Sequence, residues 1–441
     1  MPTVTAHRGA IFHFREDADT ANAQTAYEHF EDGILLVEDG RVAGTGPAGA
    51  MLERLPEGAP VVDHGRRIIM PGFIDAHCHA PQTGAMASYG EQLLEWLQDY
   101  IFPAEAAFAD PEHARRAYRF FLDELLRNGT TTAMAYSTSH ASAADILFEE
   151  ALGRSMRFIT GKTMMDRNAP DNILDTARSG YEESRALMEK WHGRGRLGYA
   201  VTPRFAPTST PEQLEAAGRL LAEVPGLRMQ THLSENRDEL DWVKRLFPQA
   251  RDYLDVYDRF GLLGPGSVFG HCIHLSDREL DRMAGTGSVA CWCPTSNLFL
   301  GSGMFDLARA RRHGVRVAIA TDVGAGTSLS MLATLGEAYK TAAAFGTSLS
   351  PFEAFHMITL GNARALNLDG FIGNFSPGRE ADFVVLDPAA TPILAHRAGR
   401  ASSLSDTLFA LMMLGDDRAV AATYVAGQLA STSQEGQHRC V

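Results

Sequence analysis

The stretch PGFIDAHCHA, residues 71–80, decides how the rest of the chain is read. Phe73 and Ile74 lead an apolar run into two histidines, His77 and His79, one residue apart. In a strand, residues i and i+2 project from the same face, so both imidazoles aim at one point. Pro71 and Gly72 mark the entry to that strand and Pro81 the exit. Two convergent neutral imidazoles are half of a metal site. The other half must come from elsewhere in the chain.

Outward from this strand the sequence alternates. Strand-like runs recur at 71–79, 130–136, 157–164, 197–203, 228–233, 267–272, 288–293 and 315–321. Helical stretches lie between them, among them Pro111–Arg127, Ser179–Trp191, Pro211–Glu223, Glu235–Leu246 and Asp277–Met283. Eight successive β–α units predict an α/β fold, a parallel (β/α)8 TIM-like barrel, whose chemistry gathers at the C-terminal ends of its strands. An open doubly wound sheet is the rival, but no G-x-G-x-x-G follows a strand.

The two ends of the chain differ from this middle. Residues 1–69 read as short strands and turns. They include a hairpin over 34–43 that turns at Glu38-Asp39-Gly40, and short runs at 61–62 and 68–69. After residue 370, Gly373-Asn374-Phe375 and Ser376-Pro377-Gly378 punctuate turns, and 381–386 and 421–425 read as short strands. The expected division is a catalytic barrel over 70–370 and a small β-sandwich domain built from both termini, 1–69 plus 371–441. The polar tail from Ala430 onward reads as disordered.

Composition narrows the class. The 441 residues carry 40 Lys plus Arg against 54 Asp plus Glu, a net charge of −14. A phosphate backbone needs a basic stripe, so nucleic acid is not an expected partner. Five cysteines, Cys78, Cys272, Cys291, Cys293 and Cys440, are odd in number and irregularly spaced. They read as reduced thiols of a cytoplasmic protein, with Cys291 and Cys293 as small strand residues. The N-terminus has no apolar core of a secretory signal, and no run is long enough to span a membrane.

The missing ligands belong at the same strand ends. The fifth strand ends in His232 with Glu235 three residues on, the sixth in His271, and the eighth in Asp322. Unrelated core histidines would fall at random depths, whereas these share one mouth of the barrel. Zinc takes N and O ligands and, in a catalytic site, leaves one position for water. His77, His79, His232 and Asp322 meet that demand as ligands of one Zn2+ per subunit, with iron or manganese as substitutes. Water bound there ionises near neutral pH and becomes a nucleophile. Glu235 is placed to shuttle protons as general acid and base, and His271 to orient or polarise the water. His140, His274 and His313 read as structural or surface residues. Lys162 ends the third strand; a carboxylate partner, not a second metal, is its expected explanation.

The sequence resembles the amidohydrolase superfamily and, within it, the guanine deaminase family. The resemblance is carried by MPGFIDAHCHAPQ (70–82), LLEWLQDYIFPAE (93–105), GTTTAMAY (129–136), VTPRF (201–205), THLSENRDE (231–239), GHCIHLS (270–276), CPTSNLFLGSG (293–303), TDVGAGTSLSML (321–332) and GNFSPGREADFVVLD (373–387). The metal and acid–base segments are common to many superfamily deaminases; HAPQ, LLEWL, VTPRF and SENRDE belong to the narrower family. The resemblance implies hydrolytic deamination of guanine to xanthine and ammonia by a metal-bound hydroxide, generated with Asp322. It implies purine contacts from Gln82, Arg204 and Phe205, with His232, Glu235 and Asp322 also meeting the substrate, and a homodimer. The alternative is a relative acting on another heteroaromatic ring, such as an oxidised purine, pterin or triazine. A scaffold on an inactive barrel would have lost a ligand or the acid–base residue, and all are present.

Overall fold

A computed structural model describes residues 3–18, 22, 25–90 and 92–433. The chain enters through β1 (Val4–Phe14), β2 (Tyr27–Glu38), β3 (Arg41–Pro47) and β4 (Val61–Pro71). Next come β5 (Phe73–His79), β6 (Thr130–Tyr136), β7 (Arg157–Gly161), β8 (Thr163–Met164) and β9 (Leu197–Pro203). They are followed by β10 (Arg228–Leu233), β11 (Ser267–His271), β12 (Val289–Trp292) and β13 (Arg316–Ile319). β14 (Phe383–Leu386), β15 (Val420–Val425) and β16 (Gln428–Thr432) complete the set.

The parallel sheet runs β5-β6-β7-β9-β10-β11-β12-β13, with β8 a short extension paired to β9. All eight strand-like runs of the sequence fall on it. β6 and β9 are buried at every position, as strands covered on both faces must be. Ile74, Ala76, Met134, Ile159, Ala200, Val268, Val289 and Cys291 form one cluster inside the barrel. Outside, amphipathic helices cover it. The helix Pro111–Arg127 is typical. Asp110 caps it by accepting from the Glu112 amide, proline takes the first position, and Ala114, Tyr118, Phe121, Leu122 and Leu125 recur on its buried face.

Among the described residues, no ladder joins β13 back to β5. Side chains and post-strand backbone close the gap instead. At the bottom, the Asn362 amide donates to the carbonyls of Ile74 (2.7 Å) and Ile319 (2.8 Å) and accepts from the Ile319 amide (3.0 Å). At the top, the Asp322 amide donates to the His77 carbonyl at 3.0 Å. The Thr321 amide donates to Asp75 Oδ1 at 3.1 Å, and its hydroxyl donates to Asp75 Oδ2.

The second sheet has seven strands in the order β16-β15-β14-β4-β1-β2-β3, so strands from both termini lie side by side. It curls on itself: Arg41 bridges Glu380, and the His7 ring meets Phe383 and Tyr424 edge-on at 4.7 and 4.8 Å. Ile11, Leu35, Ile69, Phe383 and Val385 fill the space between its halves. Phe12, Phe14, Met70 and Val384 join the core outside the barrel. Glu380 accepts from Arg157 Nε at 2.8 Å and Arg196 Nε at 2.9 Å, tying the sheet to the starts of β7 and β9.

Three local expectations are corrected. The runs at 61–62 and 68–69 belong to a single strand, β4, preceded by the 11-residue β1. The tail is not irregular from Ala430: Ala430–Thr432 finish β16, because pairing with β15 uses backbone groups and does not need apolar side chains. Residues 434–441, including Cys440, lie outside the described residues. The helix expected from Glu235 begins at Arg237 behind an Asn236 cap, leaving Glu235 on the loop. Cys78, Cys272, Cys291 and Cys293 are buried free thiols. Among the described residues, no helix is long and apolar enough to cross a membrane.

Candidate active site

His77 and His79 leave the end of β5, His232 lies near the end of β10, His271 ends β11, and Asp322 follows β13. Local backbone turns aim them. Ser234, His271, Cys272 and Asp322 all take positive φ, between 52° and 71°, directly at these strand ends. Each costs about 1 kcal/mol for a residue with a Cβ, and such outliers gather where a site over-determines the backbone. Gly270 has its own reason: a Cβ there would lie 2.8 Å from His77 Cε1. The Gly-His pair at 270–271 therefore makes room for one imidazole while supplying another.

The geometry brings His77, His79, His232 and Asp322 together, with one donor atom from each lying within 4.8 Å of the others. His77 Nε2 and His79 Nε2 approach Asp322 Oδ1 at 3.3 and 3.2 Å. His232 Nδ1 donates to the Arg204 carbonyl at 2.7 Å. That fixes its tautomer and turns the Nε2 lone pair to the centre. Both ring nitrogens of His77 and Nδ1 of His79 are buried without a hydrogen-bond partner. Burial pushes His79 down to about 4 and His232 well below its usual range. Burial opposes ionisation of Asp322, but the close approach of the His77 and His79 rings outweighs it and holds its carboxyl well below the usual range. Neutral imidazoles and a carboxylate aimed at one buried point are the donor set of a divalent cation. His77, His271, Cys293 and Asp322 also converge. Burial pushes the Cys293 thiol well up and it donates to the Cys291 carbonyl, so it is a poor ligand.

The other expected residues surround this centre. Glu235 Oε2 lies 3.3 Å from His271 Nε2, and its Oε1 accepts from Ser302 Oγ at 3.0 Å. Burial, then the Asp322 carboxylate, push Glu235 up to about 8. His271 Nδ1 pairs with Asn297 Oδ1 at 2.9 Å, leaving Nε2 towards the centre. A cleft opens over the group, walled by Gln82, Arg204 and Phe205 and roofed by Leu93, Trp96, Leu97 and Leu300. Lys162 pairs with Asp175, and with Glu183 at 3.5 Å, so a carboxylate partner accounts for it. His274 donates to the Ser302 carbonyl at 2.9 Å, and His313 pairs with Asp281.

Sequence reasoning gave no role to Glu105, Asn297, Ser302 or the Asp75–Thr321 pair. The segments LLEWLQDYIFPAE and CPTSNLFLGSG contain three of these residues, but nothing in their spacing says that Glu105 faces Arg204 or that Ser302 faces Glu235.

A metal-dependent hydrolase of the barrel type is the class this arrangement defines. The amidohydrolase family matches residues 68–430, and the chain belongs to that family. It is 49% identical to the guanine deaminase of Escherichia coli over 428 residues, 97% of this chain and 98% of that one. The solved structure of E. coli guanine deaminase superposes with a TM-score of 0.96 over 97% of this chain and 100% of its own. A guanine deaminase from C. acetobutylicum, solved with guanine bound in its active site, is 28% identical with a TM-score of 0.87, covering 97% of this chain and 99% of its own.

Proposed function

We propose that this protein catalyses hydrolytic deamination of guanine to xanthine and ammonia. The observation that carries the reading is the full-length similarity to a guanine deaminase, with a cleft walled by Gln82, Arg204 and Phe205 lying over the histidine–aspartate cluster. His77, His79, His232 and Asp322 are the proposed ligands, and zinc the proposed ion, one per subunit. When bound, the ion supplies Lewis acidity that makes water nucleophilic near neutral pH.

The chain's own residues do the rest. Arg204, Gln82 and Phe205 hold the base flat with C2 towards the cluster. His271 Nε2 accepts a hydrogen bond from the attacking water, its ring fixed by Asn297. Asp322 takes up the proton that water releases as its oxygen joins C2. Glu235, buried and protonated, donates its carboxyl proton to the ring nitrogen; Asp322 then passes its proton to the amino group, and the Glu235 carboxylate recovers a proton from the hydroxyl on C2 as the carbonyl forms. The C2–N bond breaks, and ammonia leaves with its electron pair. The leucine and tryptophan roof gives the base an apolar cover.

We take residues 70–370 as the catalytic unit and 1–69 with 371–441 as the accompanying β domain, and expect a cytoplasmic homodimer. Purified, zinc-loaded protein given guanine should lose the guanine absorbance and release ammonia in equal amount. Folded, metal-loaded protein that does neither overturns the reading.

A further inference from the structure

We propose that Glu105 is a positioning residue that sets the hydrogen-bond pattern the pocket accepts, by holding the Gln82 amide and the Arg204 guanidinium in one arrangement. The inference rests on the deaminase reading above. Glu105 is fully buried on the short helix Phe102–Ala106. Its Oε1 accepts from Gln82 Nε2 and from Arg204 Nη1, both at 2.8 Å. Its Oε2 accepts from the same Arg204 nitrogen, also at 2.8 Å. Gln82 comes from the turn after β5 and Arg204 from the segment after β9, so one carboxylate ties two walls of the cleft together.

The orientation follows from donor and acceptor counting. A carboxylate paired with arginine only accepts. Gln82 must therefore give its NH2 to Glu105 and keep its carbonyl oxygen for the cleft. Among the described residues nothing donates to that oxygen. Arg204 spends Nη1 on Glu105. It is only 3% exposed, yet its Nε and Nη2 donate to nothing among the described residues. The wall thus offers an acceptor beside donors. Its complement is an N–H beside a C=O, the lactam edge that guanine carries at N1 and C6. An amidine edge, with a bare ring nitrogen beside an amino group, would set lone pair against lone pair and donor against donor. A wall of fixed polar groups rejects such a mismatch far more strongly than shape alone does. Without Glu105, the Gln82 amide could turn over with no change of shape and offer a donor instead.

The test uses binding rather than turnover, on the full-length, metal-loaded protein. Hypoxanthine has the lactam edge but no amino group to lose; adenine has the amidine edge. Calorimetric titration should show wild type preferring hypoxanthine by about 100-fold or more. Glu105→Gln should bring the two within about tenfold, chiefly by weakening hypoxanthine, with metal content unchanged. Should Glu105→Gln fail to fold, Glu105→Asp keeps the charge facing Arg204 but withdraws from Gln82, and should shrink the same ratio. A ratio that survives in the folded variant, or two affinities that fall in parallel, overturns the proposal. So does a wild type with no preference. A wild type with the preference that releases no ammonia from guanine overturns the assigned reaction and leaves this inference standing.

Discussion

His232 Nε2 and His79 Nε2 lie 3.2 Å apart. Because His232 already gives its Nδ1 proton to the Arg204 carbonyl, its inner nitrogen faces the centre as a lone pair. Two such nitrogens beside the Asp322 carboxylate are relieved by a cation between them. Stoichiometric zinc should therefore raise the melting temperature of chelator-stripped protein, since the folded chain binds it and the unfolded chain lacks the site. His79→Ala should retain the fold but lose both the bound metal and that rise. An unchanged metal content by elemental analysis would refute the ligand assignment.

Glu235 has no ligand role in this scheme, so its loss should separate chemistry from binding. Glu235→Gln is expected to keep metal and fold while kcat falls about 10²–10⁴-fold. Ser302→Ala removes only the hydroxyl that holds Oε1 and should cost about tenfold. A glutamine variant with the wild-type rate would displace Glu235 from proton transfer.

Asp75 touches no cleft, yet it receives the amide and hydroxyl of Thr321, the residue before Asp322. Asp75→Asn loses an acceptor and puts donor against donor at the barrel seam. Metal affinity should drop about 10–100-fold, as it does when outer partners of a metal ligand are removed. Competition with a chromophoric chelator measures this directly, and an unaltered affinity would show that Asp322 is held by other means.

Asn362 makes the contrasting case at Ile74 and Ile319, just below the Asp75–Thr321 pair on the same seam. Asn362→Ala strands buried backbone groups and should destabilise the fold by about 3 kcal/mol. It should leave kcat and metal content alone. Loss of activity at temperatures where the variant is folded would contradict the separation.

Burial, then the neighbouring His64, hold His7 down to about 3. In the unfolded chain a histidine titrates near about 6.5. The unfolded state binds the proton more tightly, so this contribution to stability is whole above about pH 6.5 and is lost as the pH falls towards 3. His7→Phe can keep the ring contacts with Phe383 and Tyr424 and has nothing to protonate. Between about pH 7 and about pH 5, wild type should lose more melting temperature than the variant. Parallel curves would assign the acid sensitivity elsewhere.

The barrel was legible because its strands are short apolar runs at regular spacing, each closed by a polar end. His77 and His79 stood out through period-two geometry, and His232, His271 and Asp322 through their matching ends. Glu105, Asn297 and Ser302 were not legible, because their partners lie on other segments and no periodicity links them. β1 was passed over because VTAHRGAIFHF mixes polar and apolar residues on both faces; one face meets the barrel while the other turns into the curled sheet. The helix after β10 was expected to start at Glu235, two residues too early, since the Asn236 cap and the Glu239 that completes it look, in sequence, like helix interior.

The pairing of β4 with β14 has a consequence for synthesis. A ribosome releases Val61–Pro71 long before Phe383–Leu386 exists, so every nascent chain waits with one strand edge bare. Stop codons placed before residue 383 would leave that edge bare for good. Such fragments should accumulate as aggregates, however intact their catalytic half, because an open row of backbone donors and acceptors recruits any strand that meets it.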